Sequence, residues 1–262
     1  MNFRTDFSKG DAPMIAMPRS GSASRFEARA GAIALGAWLM MVTMIAVPAF
    51  ARADAEEAPR AEPMVLFDGE TLDGWKAADF YKPGEVSVKD GAIIMAASAV
   101  SGGMTGVTTT REDLPTNNYE FSYRAKRLSG RDFFAAATFP VGDTFLTLVN
   151  GGWGGSVTGL SSIDGADASE NLTGTYQKYA DDTWYSFRIR VTDAAIECWI
   201  DDEKLITFTD PGDHHLDTRL ETRVNHPLGF ATWQTGGAVK DITVRPLSAE
   251  EIAEARGEED DR

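Results

Sequence analysis

Between Trp184 and Phe208 the chain reads W-Y-S-F-R-I-R-V-T-D-A-A-I-E-C-W-I-D-D-E-K-L-I-T-F, and this stretch limits the fold more than any other. Tyr185, Phe187, Ile189 and Val191 alternate with Ser186, Arg188 and Arg190. A period of two sends successive side chains to opposite faces of a strand, so one face here is apolar and the other wet. Thr192-Asp193 is expected to reverse the chain. That turn sets Ile189 opposite Ile196, Phe187 opposite Cys198 and Arg188 opposite Glu197. Asp201-Asp202 turns the chain again into Lys204–Phe208. Three antiparallel strands in so short a stretch rule out a helical fold for this region.

The same pattern recurs upstream. Tyr119, Phe121, Tyr123 and Ala125 share one face of a second alternating run, with Glu120, Ser122, Arg124 and Lys126 on the other. Short apolar or alternating runs also occur at Val65–Phe67, Ala92–Ala97, Gly106–Thr110, Phe133–Pro140, Phe145–Asn150, Gly229–Trp233 and Ile242–Pro246. Gly, Pro, Asp and Asn separate them, and no helical periodicity intervenes. About a dozen strands with turn chemistry between them predict an all-β sandwich of two antiparallel sheets.

The two ends differ from this middle. Arg19, Arg25 and Arg29 precede the nearly unbroken apolar run Ala30–Phe50, and Ala51-Arg52-Ala53 supplies small residues for cleavage. Residues 1–53 therefore read as an export signal, with an uncleaved N-terminal anchor as the alternative. The expected location is the periplasm, cell envelope or extracellular space. Residues 54–63 read as a linker, 64–247 as the sandwich, and 248–262 as an acidic tail that opens with a short exposed helix after a Ser248 cap. Residues 54–262 carry 19 Lys/Arg against 37 Asp/Glu, a net charge of −18. Such a charge repels nucleic acid, and membrane contact is expected only through Ala30–Phe50 if it stays uncleaved. The single cysteine, Cys198, cannot form an internal disulfide, so a buried core must hold the fold.

Several phrases, taken in order, resemble the 3-keto-disaccharide hydrolase domain family. They are Leu66-Phe67-Asp68-Gly69-Glu70-Thr71-Leu72-Asp73-Gly74-Trp75, Val86-Ser87-Val88-Lys89-Asp90-Gly91-Ala92-Ile93, the Trp184–Asp202 hairpin, and Pro227-Leu228-Gly229-Phe230 with Val239–Leu247. The resemblance implies a concanavalin/LamG-like jelly roll that cleaves 3-keto-glycosides with the help of a base. The chain departs from the family pattern at four places: Arg124-Ala125-Lys126 occupies its Glu-x-Arg strand, Gly130-Arg131-Asp132-Phe133 its G-N-S-G turn, Cys198 stands where the family often has His, and Asp201-Asp202 replaces its Asn-Gly turn. These departures motivate a second expectation, a non-catalytic glycan-binding module of the cell envelope.

Candidate residues follow from the chemistry of sugars. Ring C–H faces stack on aromatic groups, while carboxylates and amides take the hydroxyls. Asn150-Gly151-Gly152-Trp153-Gly154-Gly155 sets one tryptophan among glycines, where both ring and backbone can approach a ligand. Asp143, Asn150, Trp153, Asn171 and Trp199 are the expected substrate-binding residues. Glu197, Asp164 and Glu170 are the expected candidates for the catalytic base. Glu197 has a competing reading as a cross-strand ion pair with Arg188. The acids of Ser161–Thr173, and His214-His215 with Asp210, Asp213 and Asp217, have residue types suited to a divalent metal, but no ligand spacing requires one. No cofactor and no oligomeric state can be assigned. The sequence contains neither a G-x-S-x-G nor an E-x-D-x-x-E motif, which argues against serine hydrolysis and the ordinary retaining glycosidase arrangement.

Overall fold

The computed structural model describes residues 62–257. The export segment lies outside the described residues, as do 54–61 of the linker and 258–262 of the tail. Among the described residues no helix is long and apolar enough to cross a membrane.

Among the described residues fifteen strands, numbered in chain order, form two sheets in which every pairing is antiparallel. The first sheet runs β13 (Glu203–Thr209), β12 (Ala195–Ile200), β11 (Tyr185–Val191), β6 (Tyr119–Ser129), β15 (Gly236–Pro246), β4 (Ala92–Met95), β3 (Val86–Lys89). A short β1 (Met64–Val65) also pairs with β15. The second runs β10 (Thr175–Tyr176), β9 (Val157–Ser161), β8 (Thr144–Gly151), β7 (Ala136–Val141), β14 (Gly229–Trp233), β5 (Met104–Thr109), β2 (Trp75–Ala77). Neighbours distant in sequence, such as β6 with β15 and β7 with β14, give the crossed-over connectivity of a jelly roll.

The alternation seen in the sequence builds the core between the sheets. Tyr119, Phe121, Tyr123 and Ala125 of β6 are fully buried, as are Phe187, Ile189 and Val191 of β11. Tyr123 stacks on Phe187 at 5.0 Å and meets Phe230 of the opposite sheet edge-on at 4.9 Å. Offset and edge-on packing of this kind suits aromatic quadrupoles. The Tyr119 hydroxyl donates to the Pro140 carbonyl at 2.6 Å, tying the two sheets together. Cys198 faces this core, and burial pushes its thiol pKa up, so it is a small core residue and not a nucleophile.

The hairpin keeps its expected facing but not its expected register. Val191 lies opposite Ile196, Ile189 opposite Cys198, Arg190 opposite Glu197 and Arg188 opposite Trp199. The turn is Asp193-Ala194, because the Thr192 side chain accepts from the Ala195 amide and donates to its carbonyl, both at 2.9 Å. That side-chain bridge moves the reversal one residue downstream and shifts every cross-strand partner by two. The Arg188–Glu197 pair is therefore replaced by Arg190–Glu197.

After β15 the chain forms a helix over Ala249–Ala255. A capping box of Ser248 and Glu251 starts it. This helix is only half exposed, because Glu251 and Glu254 reach Arg190 of β11 at 3.5 and 3.1 Å. It covers one end of the first sheet's outer face.

Candidate functional site

The outer face of the second sheet carries a cleft of about 270 Å³. Its floor comes from alternate residues pointing away from the core: Met104 of β5, Ala136 of β7, Thr147 of β8 and Ser161 of β9. Thr138 and Thr147 share a hydrogen bond of 3.0 Å across β7 and β8, which satisfies both hydroxyls in an otherwise apolar surface. The walls come from three connections: Asp132 and Phe133 before β7, Trp153 after β8, and Arg219, Glu221 and Thr222 before β14. Trp233, at the end of β14, closes the site. The Trp233 amide donates to the Phe133 carbonyl at 3.1 Å, and the two rings lie 6.5 Å apart.

Trp153 sits in a tight turn, Gly152–Gly155, with φ 49 and ψ 50. A bulky residue reaches this left-handed region only when its surroundings impose it. Two features do so. Gly151, Gly154 and Gly155 flank it, all at positive φ. The Asp132 carboxylate then accepts from the Gly154 amide at 3.0 Å and from the Phe133 amide at 2.9 Å. The indole is left 44% exposed at the cleft wall. A tryptophan plugging the sandwich end would be buried, so the turn presents this ring instead of hiding it.

Arg219 forms ion pairs with Asp167 and, at 3.5 Å, with Glu221. Asp167 also accepts from Ser161 at 3.0 Å and Ser162 at 3.3 Å. Asp167 thus fastens the Arg219 wall to β9. The Thr222 amide and hydroxyl both bond the Arg219 carbonyl at 3.0 Å, which sets the turn.

Of the residues expected from sequence, Trp153 alone lines this cleft. Asn150 is fully buried and accepts from the Ala135 amide, a bond that holds β8 against the segment before β7. Asn171 donates to the carbonyls of Leu160 and Ala166 and accepts from Thr173, so it braces the loop over β9. Glu170 is exposed in that loop. Asp164 accepts from the His214 ring at 2.7 Å and the His215 amide at 2.8 Å. These two bonds hold its pKa below the usual carboxylate range, which weakens it as a base. Asp143 is exposed in the β7–β8 turn. It borders a second hollow of about 500 Å³ with Phe145 and His226. The His226 ring stacks on Phe145 at 3.9 Å, and burial lowers its pKa.

Glu197 and Trp199 lie on the outer face of the first sheet, with the whole core between them and the cleft. Glu197 is buried against Lys204 at 2.6 Å and Arg190 at 3.6 Å. Trp199 is covered by Arg188, whose guanidinium lies 4.0 Å from the ring centroid. These two residues belong to an ion-pair and cation–π network with Arg188, Arg190 and Lys204. Among the described residues no three His, Cys, Asp or Glu side chains gather as a metal site would need.

Phe133, Trp233, Arg219 and Glu221 were not anticipated as site residues. Trp233 carried a signal, since it precedes Gly236-Gly237 much as Trp153 is flanked by glycines. Arg219 and Glu221 carried none, because an Arg-x-Glu in a loop is ordinary surface composition.

Curated proteins give no match to this chain. Among solved structures, it is similar to a Crh5 transglycosylase at 15% identity over 73% of this chain and 89% of that one, with a TM-score of 0.49. Domain 4 of an extracellular arabinanase from Geobacillus stearothermophilus, solved with arabinotriose, is 15% identical over 76% and 100% of the two chains, with a TM-score of 0.46. A carbohydrate-binding module from Bacillus subtilis is 10% identical over 66% and 95%, with a TM-score of 0.44. The family comparison reaches further than these distant likenesses. Residues 62–245, from just before β1 to the penultimate residue of β15, match the 3-keto-alpha-glucoside-1,2-lyase-like domain. The chain is a carbohydrate-related jelly roll and belongs to the 3-keto-alpha-glucoside-1,2-lyase-like family.

Proposed function

We propose that the cleft on the outer face of the second sheet binds a saccharide. The observation that carries this reading is Trp153, a ring kept 44% exposed by a strained turn and by the Asp132 clamp. Tying up a carboxylate and three glycines to expose a tryptophan serves a ligand better than it serves the fold. Trp153, Trp233 and Phe133 supply apolar surface for a sugar ring, and Thr147, Ser161, Arg219 and Glu221 supply donors and acceptors for its hydroxyls. The expected export carries over into this proposal, so the sugars concerned are those of the envelope or its surroundings.

The family match favours a second, finer reading, cleavage of a 3-keto-glycoside. The C2–H of such a sugar lies next to the C3 carbonyl and is acidified by it. A base takes that proton, the C–H electron pair forms the C1–C2 double bond, and the C1–O bond breaks with its electrons leaving on the departing oxygen, which is then protonated. Two carboxylates line the cleft. Asp132 is committed to the amides of Phe133 and Gly154, whereas Glu221 is half exposed with only Arg219 nearby. Glu221 is thus the proposed base.

One experiment separates the readings. Purified protein is mixed with a 3-keto-α-glucoside and the parent glucoside, and binding and product are followed by NMR. Binding without an unsaturated sugar product sinks the lyase reading and leaves the binding module. Turnover that survives Glu221→Gln removes Glu221 as the base. Neither ligand perturbing the Trp153 and Trp233 indole signals sinks both readings.

A further inference from the structure

The uncovered end of the first sheet's outer face concentrates positive charge, although residues 54–262 carry a net charge of −18. Arg124 and Lys126 project from β6, and Lys240 projects from β15 directly opposite Arg124. All three cations surround one indole, Trp184, with Lys240 at 4.7 Å, Lys126 at 5.3 Å and Arg124 at 5.8 Å from the ring centroid. Like charges placed directly across a strand pair destabilise it, so this arrangement costs the fold something. The neutralisation is thin. Asp182 meets Lys126 at 3.2 Å but is 75% exposed, and Asp241 only approaches Arg124, at 3.9 Å, and is 59% exposed. Exposed pairs of this kind are weak and screened. The Arg124 Nε is buried without a hydrogen-bond partner. Among the described residues no carboxylate pairs with Lys240. At the other end of the same face the arginines meet more carboxylates, with Arg245 and Arg190 held by Glu120, Glu197, Glu251 and Glu254.

We propose that Arg124, Lys126 and Lys240, gathered on Trp184, form a second binding site for a carboxylate-bearing glycan, an oligouronate. Charge complementarity selects the class. A net-acidic domain repels a dense polyanion at long range, so only a ligand whose spaced carboxylates are met at short range by these cations gains on docking. A uronate also offers the sugar C–H surface that a half-buried tryptophan edge can take. The site lies across the core from the Trp153 cleft, and neither the saccharide nor the lyase reading of that cleft is needed for it.

The test is isothermal titration of the full chain with an oligogalacturonate, the neutral oligogalactoside, heparin fragments and phosphatidylglycerol vesicles. The expected result is saturable oligogalacturonate binding that weakens with added salt, while any response to the neutral oligomer is indifferent to salt and to Arg124→Ala and Lys240→Ala. Arg124→Ala and Lys240→Ala each weaken it about tenfold, as loss of a charge-assisted contact should. A Trp153→Ala variant binds the oligouronate like wild type. Circular dichroism and urea midpoints confirm that the alanine variants remain folded, and Lys240→Arg retains binding. Absence of oligogalacturonate binding overturns the proposal, and so does binding indifferent to Arg124→Ala and Lys240→Ala. Vesicle or heparin binding in place of oligogalacturonate binding overturns it in favour of a membrane or a sulfated chain. Binding that emerges only after truncation following Gly257 overturns it in favour of the chain's own acidic end.

Discussion

Replacing Arg190 with alanine tests the account of Glu197 as a structural group. Arg190 is 5% exposed and faces Glu197 at 3.6 Å, Glu251 at 3.5 Å and Glu254 at 3.1 Å. Its three partners lose unequally. Glu254 is 69% exposed, so water replaces the arginine there at little cost. Glu251 keeps Arg245 at 2.7 Å. Glu197, with a side chain 7% exposed, keeps only Lys204. Removing one partner of a buried pair costs roughly 3–5 kcal/mol, and the surviving Lys204 contact places this case near 3 kcal/mol. Loss of the Arg190 guanidinium, 5.2 Å from the Trp199 ring, adds about 0.5–1 kcal/mol. For a domain of this size the combined loss is a fall in Tm of about 7–16 °C. Urea unfolding followed by tryptophan fluorescence measures it, and saccharide binding at the distant cleft should not change. A cost under about 1 kcal/mol would refute the reasoning, because it would mean that water already screens the network. Glu197→Gln should likewise leave any turnover intact while lowering stability, and a dead but stable Glu197→Gln enzyme would return Glu197 to the catalytic candidates.

Three further outcomes follow from single contacts. The Arg245 guanidinium, aided by the Ser248 amide, holds the Glu251 pKa at about 2 against an ordinary 4.5. A pKa depressed in the folded state stabilises above the unfolded value, so this contribution is intact above about pH 4.5 and fades as pH falls toward 2. Chemical denaturation across that range should show the loss, and Glu251→Gln should flatten it; equal slopes for the two proteins would count against the pair. Asp132→Ala removes the acceptor that fixes the Trp153 turn, so saccharide affinity should fall about tenfold with the fold intact, and Asp132→Asn should recover part of it. Unchanged affinity in calorimetry would show that the turn holds without the clamp. Gly237→Ala places a Cβ 1.8 Å from the Phe134 carbonyl oxygen, where backbone meets backbone across the sheets. Forcing atoms into a packed core costs about 1–3 kcal/mol or more, so this variant should express poorly and melt early, and a wild-type melting curve would contradict the packing described.

The strands were legible because they are local. Alternation in Tyr119–Ala125 and Tyr185–Val191 shows which residues face a core, whatever that core turns out to be. The Ser248 cap was legible for the same reason, since its partner Glu251 is three residues away. The very short strands β2 and β10, and Gly-containing β9, gave almost no periodicity and form because neighbours across the sheet complete their ladders. The hairpin register depended on one hydroxyl, that of Thr192, which competes with the backbone for the turn.

The candidate site divides in the same way. The glycine-flanked Trp153 is a local signal, and it alone among the expected residues reaches the cleft. Its companions come from connections far apart in the chain: Asp132 before β7, Arg219 and Glu221 before β14, Trp233 at the end of β14. Glu197 and Trp199 share a strand face in the sequence, but alternation cannot tell which outer face later receives a covering helix. Sequence by itself determined the sandwich, its inward faces and the family, because those rest on residue spacing along one strand. Only the tertiary structure decided that Glu197 is buried against Arg190 and Lys204 and that the cleft lies on the other side of the core, because those depend on which distant segments the sheets bring into contact.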